Sequence, residues 1–148
     1  AMRADGWART PIIRMTNVNL EPGEWTLDEI IGDTRHGFLL CTNTSWSIDD
    51  KRLNFQFGTE AAYEITDGDL GQMYRNATYQ GITPEFWGSC DAVSGRGKGE
   101  WVIWGVPNCG KGEPGQSAHV GHGVAPARFR NVRCGVMQES GEGGEGNE

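Results

Sequence analysis

The chain has 148 residues, 23 of them glycine, and a formal net charge of −7. That length suits one domain with a real core, and the glycine excess points to many turns. The last ten residues, ESGEGGEGNE, hold four glutamates, which leaves the rest at about −3, an acidic balance unsuited to general nucleic-acid binding.

No apolar run approaches the roughly 18 residues of a membrane span. Cys41, Cys90, Cys109 and Cys134 are widely spaced and include no C-x-x-C pair. Neither a zinc ribbon nor a thioredoxin-like site is therefore encoded, and reduced thiols in a cytoplasmic protein are the default. Ala1-Met2 reads as a cloning remnant, with residues 1–8 a linker ahead of an internal segment of a longer protein.

In chain order, Arg9 to Val18 reads as a first strand, closed by the Glu21-Pro22-Gly23 turn. Thr26 with Glu29 three residues later forms a capping box, so a short helix is expected over Leu27 to Ile31, stopped by Gly32. Gly37 to Cys41 reads as a strand. Trp46 to Phe57 reads as a hairpin turned by Asp49-Asp50-Lys51, with Leu53, Phe55 and Phe57 on one face. Glu60 to Thr66 continues the meander, and Asp67-Gly68 is the strongest hairpin turn in the chain, leading into Leu70 to Tyr74. Asn76 to Gly81 adds a further strand. Thr83 as N-cap and Pro84 at the first helical position start a second helix, expected over Pro84 to Ala92. The Gly95, Gly97, Gly99 alternation turns into a strand at Trp101. The expected fold is mainly β (α+β): antiparallel sheets in a barrel-like domain over 9–135 with two short helices, then a disordered Gly/Glu tail over 136–148.

Chemistry concentrates between Trp101 and Cys134, in a segment too rich in Gly and Pro to be helical and read as a loop between two strands. It holds Cys109, Lys111, Gln116, His119 and His122. Gly105-x-x-x-x-Gly110-Lys111 mimics a phosphate-binding loop, but Gly112, Glu113 and Pro114 follow in place of a magnesium-binding hydroxyl and a helix. Cys109, His119 and His122 are possible zinc ligands, yet positions three apart on a strand point to opposite faces. The spacing favours a reduced cysteine and two hydrogen-bonding histidines over a self-contained site. A nucleophilic Cys109 lacks an evident orienting group. Arg128, Arg130 and Arg133 read as a solvated strand edge, and Cys41, Cys90 and Cys134 as packing residues.

The run Asn108-Cys109-Gly110-Lys111-Gly112, then Gly115-Gln116, Gly121-His122-Gly123 and Pro126 to Val132, resembles the C-terminal part of the TldD/PmbA family. These are metallopeptidases also known as modulators of DNA gyrase. Upstream, Met15-Thr16-Asn17, the helix Thr26 to Ile31, Gly37-Phe38-Leu39-Leu40 and Phe55-Gln56-Phe57-Gly58 agree with it, so the resemblance covers about Pro11 to Cys134. It implies a zinc held by two histidines of an H-E-x-x-x-H helix and one later cysteine, matched here by Cys109. This chain carries no H-E-x-x-x-H. The resemblance thus implies the cysteine-bearing domain of a TldD-like zinc peptidase acting on short or unfolded peptides, inactive when isolated, with catalytic residues elsewhere. Gly110, Lys111, Gln116 and His122 are implied as substrate contacts or as hydrogen-bonding neighbours of the ligand; His119 is assigned nothing. A homodimer, or a heterodimer with a PmbA-like subunit, is also implied. The alternative is a noncatalytic peptide- or partner-binding β domain of an inactive PmbA-like subunit, using an exposed strand edge.

Overall fold

The computed structural model describes residues 2–111 and 115–136. The first elements are β1 (Met2–Arg3), β2 (Ile12–Ile13), α1 (Leu27–Gly32), β3 (His36–Ile48) and β4 (Asn54–Thr66). Next come β5 (Asp69–Arg75), β6 (Ala77–Ile82), α2 (Thr83–Gly88) and β7 (Cys90–Val93). The chain continues through β8 (Val102–Lys111), β9 (Gln116–Val124), β10 (Ala127–Phe129) and β11 (Arg133–Val136). All registered strand pairs are antiparallel, as expected, but they form separate sheets and do not close into a barrel. Two compact units result, one of residues 1–30 and 91–128, the other of 31–90 and 129–148. The expected tail lies, beyond Val136, outside the described residues.

In the second unit β4 is the central strand. It pairs with β3 along one edge and with β6 and then β5 along the other, and β11 extends the sheet beyond β6. The two short strands expected at Gly37 to Cys41 and Trp46 to Ile48 are one strand, because a bulge between Asn43 and Ser45 absorbs the irregularity. The Asn43 amide ties that bulge together by donating to the Ser45 and Gly58 carbonyls at 3.2 and 3.3 Å. At the far end of β3 the Asp49 carboxylate accepts from the Asn54 side chain and from the Leu53 and Asn54 N–H groups at 2.7, 2.7 and 3.2 Å. Those bonds hold its pKa below the ordinary aspartate value. Asp67 and Gly68, with φ of 49° and 89°, make the expected tight turn; a side chain at Gly68 would meet the Gly32 carbonyl.

Phe55 and Phe57, two apart on β4, share a face and stack at 5.2 Å. Tyr79 and Phe86 join them, and Phe86 stacks on Phe129 at 3.9 Å. Burial within this cluster raises the Tyr79 pKa. The helix carrying Phe86 ends at Gly88, earlier than expected, and the chain from Cys90 enters β7 instead. Thr83 does not cap it: no side-chain bond closes that helix start, and the Thr83 hydroxyl donates toward the Arg52 and Leu53 carbonyls. Tertiary contacts outcompete the local cap. Cys134, expected to pack, is exposed, whereas Cys41 and Cys90 are half-buried.

α1, whose start lies in the first unit, forms as expected. Its capping box is reciprocal, Thr26 N–H to the Glu29 carboxylate at 2.9 Å and Glu29 N–H to the Thr26 hydroxyl at 3.2 Å. Glu100, remote in sequence, accepts the Leu27 N–H as well. Arg128 is a correction: its side chain is only 11% exposed, bonds the Asp91 carboxylate through two nitrogens at 2.9 and 3.2 Å, and lies over the Trp25 ring. A planar guanidinium suits that bidentate, stacked position better than a solvated edge.

Candidate metal-ligand site

The first unit is built on the β8–β9 hairpin. The strand expected over Arg9 to Val18 reduces to Ile12–Ile13, paired with Met2–Arg3 from the stretch expected to be linker. The remainder of that segment follows β9 through side chains. Gln116 Nε2 donates to the Thr10 carbonyl at 2.7 Å, and the Gly121 and Gly123 N–H groups donate to the side-chain oxygens of Asn17 and Asn19 at 3.0 and 2.8 Å. Two asparagines at period two thus stand in for the carbonyls of a neighbouring strand. The Leu20 N–H then donates to the Gly123 carbonyl at 2.8 Å, and Trp101, whose indole N–H bonds the Leu20 carbonyl, packs where a side chain at Gly123 would clash.

Cys109 lies in β8, not in a loop as the sequence suggested; glycines and Pro107 are accommodated because the strand pairs on one edge and contains a bulge. That bulge decides the chemistry. Val106 pairs with Val120 and Cys109 with Ala118, so Pro107 and Asn108 together oppose His119. One extra residue shifts the alternation and turns Cys109 onto the face of Val106, Val120 and His122, while His119 faces the other way. His122 pairs with Trp104, four positions beyond Ala118, which is about 13 Å along a strand at ~3.3 Å per residue. One ion therefore cannot take Cys109 with either histidine, and among the described residues no three His, Cys, Asp or Glu side chains could hold a metal.

The other expected site residues are placed as follows. Gly110 pairs with Ser117, and Lys111 closes β8 opposite Gln116; the Lys111 side chain, like residues 112–114, lies outside what the structure describes. Gln116 is 5% exposed, with its Oε1 lacking a partner. His122 Nδ1 faces both the N–H and the carbonyl of Val18, at 3.2 and 3.0 Å, so its tautomer decides which bond forms. His119 Nδ1 meets the Pro107 carbonyl.

Sequence reasoning missed two arginines. Arg3 donates to the Cys109 carbonyl at 2.6 Å, and Arg14 Nη2 donates to the Gly110 carbonyl at 2.7 Å and lies 3.4 Å from the Cys109 sulfur. Arg9 likewise bonds the Gly115 carbonyl. Each partner is about a hundred residues away in the chain, and nothing local to Arg3 or Arg14 announces it.

The β8–β9 hairpin thus presents the free Cys109 thiol beside the Arg14 guanidinium. The family model described as the PmbA/TldA metallopeptidase C-terminal domain matches residues 1–135, and the chain belongs to that family. Among curated relatives it is 33% identical over 125 residues to a metalloprotease of Methanothermobacter thermautotrophicus, covering 84% of this chain and 26% of that protein. It is 34% identical over 121 residues to a metalloprotease of Methanocaldococcus jannaschii, covering 82% and 25%. A metalloprotease TldD homolog of Buchnera aphidicola is 27% identical over 133 residues, covering 90% and 26%. The chain thus spans about a quarter of the length of these relatives. The crystal structure of TldE from Thermococcus kodakarensis shares the fold, with a TM-score of 0.55 and 18% identity over 88% of this chain and 26% of that one.

Proposed function

We propose that this chain is the C-terminal domain of a TldD-like zinc peptidase of short or unfolded peptides, and that it supplies Cys109 as a metal ligand. The observation that carries this reading is a free, half-buried Cys109 thiol within a metallopeptidase domain, turned away from His119 by the bulge of β8 and separated from His122 by four positions along the hairpin. A thiolate suits zinc, and two imidazoles from an H-E-x-x-x-H helix outside this chain would leave the fourth position open. Zinc bound in such a site polarises a carbonyl and acidifies water. Within this chain, Arg14 and Arg3 hold the Cys109–Gly110 backbone, and Gln116 ties β9 to Thr10. Lys111 and His122 are proposed as peptide contacts. Val102, Ile103 and Trp104, exposed by 45%, 61% and 65% on β8, support a partner subunit, homologous or PmbA-like, and the four free thiols accord with a cytoplasmic location.

The test compares the full-length protein with its Cys109→Ser variant and with the isolated chain. Bound zinc and hydrolysis of an unstructured peptide should both be lost in Cys109→Ser, and the isolated chain should hydrolyse nothing and retain no zinc through dialysis, since one thiolate binds weakly. Full zinc and activity in Cys109→Ser would remove Cys109 from the metal.

A further inference from the structure

Arg14 places the same guanidinium nitrogen against two acceptors on consecutive residues, the Gly110 carbonyl at 2.7 Å and the Cys109 sulfur at 3.4 Å. The second distance is within hydrogen-bond range for sulfur, a larger acceptor than oxygen. The Nε of Arg14 is buried without a partner. A buried orphan donor is unfavourable, so saturation of the guanidinium does not explain its position; the bonds to residues 109 and 110 do. Arg3, by contrast, touches Cys109 through the carbonyl and not the sulfur.

We propose that Arg14 is a positioning residue for the metal thiolate: anchored on the Gly110 carbonyl, it donates to the Cys109 sulfur and fixes the direction in which that sulfur is presented. This rests on the reading of Cys109 as a metal ligand. A cysteine has three staggered positions about its single side-chain torsion, and a donor fixed to the next residue selects among them before metal arrives. Because arginine stays charged at every relevant pH and holds the two N–H groups of that nitrogen in a rigid plane, it bonds both acceptors in fixed directions, which the rotating ammonium of lysine does less well. Hydrogen-bonding partners of metal ligands typically alter affinity by about 10–100-fold when removed.

The experiment uses the full-length protein with cobalt(II) in place of zinc and reads the sulfur-to-cobalt charge-transfer band together with metal affinity by chelator competition. Removing a donor raises the energy of the sulfur lone pair, so Arg14→Gln should move the band to longer wavelength and weaken binding by about 10–100-fold. Arg14→Lys should fall between Arg14→Gln and the parent, and Arg3→Gln should leave the band in place. If Arg14→Gln does not fold, the Arg14→Lys band decides: a shift to longer wavelength supports the proposal and an unmoved band overturns it. A folded Arg14→Gln with an unmoved band also overturns it, as does an equal shift in Arg3→Gln, which would assign the effect to the hairpin backbone. Cys109→Ser separates the two readings. A band that persists in Cys109→Ser removes the ligand itself, whereas a band lost there but unmoved in Arg14→Gln removes only the role of Arg14.

Discussion

The two units solve the problem of holding β-strands in different ways. In the unit of residues 31–90 and 129–148, a 13-residue central strand pairs along both edges, and Phe55, Ala62 and Ile65 along it are buried to 9%, 1% and 5% exposure. In the unit of residues 1–30 and 91–128, a two-stranded hairpin is flanked by a segment that follows it through asparagine, glutamine and arginine side chains. Its most buried side chains include Ser94 and Gln116 beside Ala92 and Val120. Apolar burial is non-directional and tolerates shifts; hydrogen bonds fix direction. The polar unit is the one that presents the Cys109 thiol, and directional bonding is what its proposed role as a metal ligand requires.

The contrast predicts that function and stability separate by unit. The largest effect is expected for Cys109→Ser in the full-length protein, where zinc content and peptide hydrolysis should fall by more than the about 10–100-fold typical of losing an outer partner. Its melting temperature should stay near that of the parent; a large drop would make Cys109 a structural residue. Phe55→Ala should do the reverse in the other unit, costing about 3–5 kcal/mol in urea unfolding from lost stacking and the cavity left behind, while folded protein keeps its metal. Loss of metal at full folding would break the separation.

Asn19→Ala should cost about 1–2 kcal/mol, because the Gly123 N–H loses its acceptor in a buried position. Hydrogen exchange at the Gly123 amide should quicken, and unchanged protection would show that the side-chain ladder is incidental. The smallest effect concerns Glu29, whose pKa is lowered first by its backbone bond with Thr26 and further by Arg96. A depressed folded pKa contributes stability above the ordinary glutamate value of 4.5, and that contribution is lost as pH falls through the folded value. Glu29→Gln should flatten this acid limb of a thermal-melt series, and an identical limb in both proteins would assign it to other carboxylates.

Local rules were enough where a feature is completed within a few residues. The Thr26–Glu29 box, the Asp67-Gly68 turn and the period-two aromatics of β4 all formed where the sequence placed them, because their partners lie three or two positions away. The same rules failed at Thr83, whose hydroxyl found carbonyls thirty residues back, and at Arg128, which reads as a solvated edge until Asp91 and Trp25 are placed beside it. The proposal that Cys109 meets a metal comes from the resemblance of its Cys-Gly-Lys run, not from spacing.

By itself, then, the sequence determined the β-rich class, the short helix and its cap, the meander turns and the residue proposed to meet a metal, since each depends on residue type and near neighbours. Tertiary structure alone decided that β3 is one bulged strand, that Cys109 turns away from His119, and that Arg3 and Arg14 close on residues 109 and 110. A bulge changes facing by one residue without changing composition, and side-chain bonds between residues about a hundred apart leave no periodicity to read.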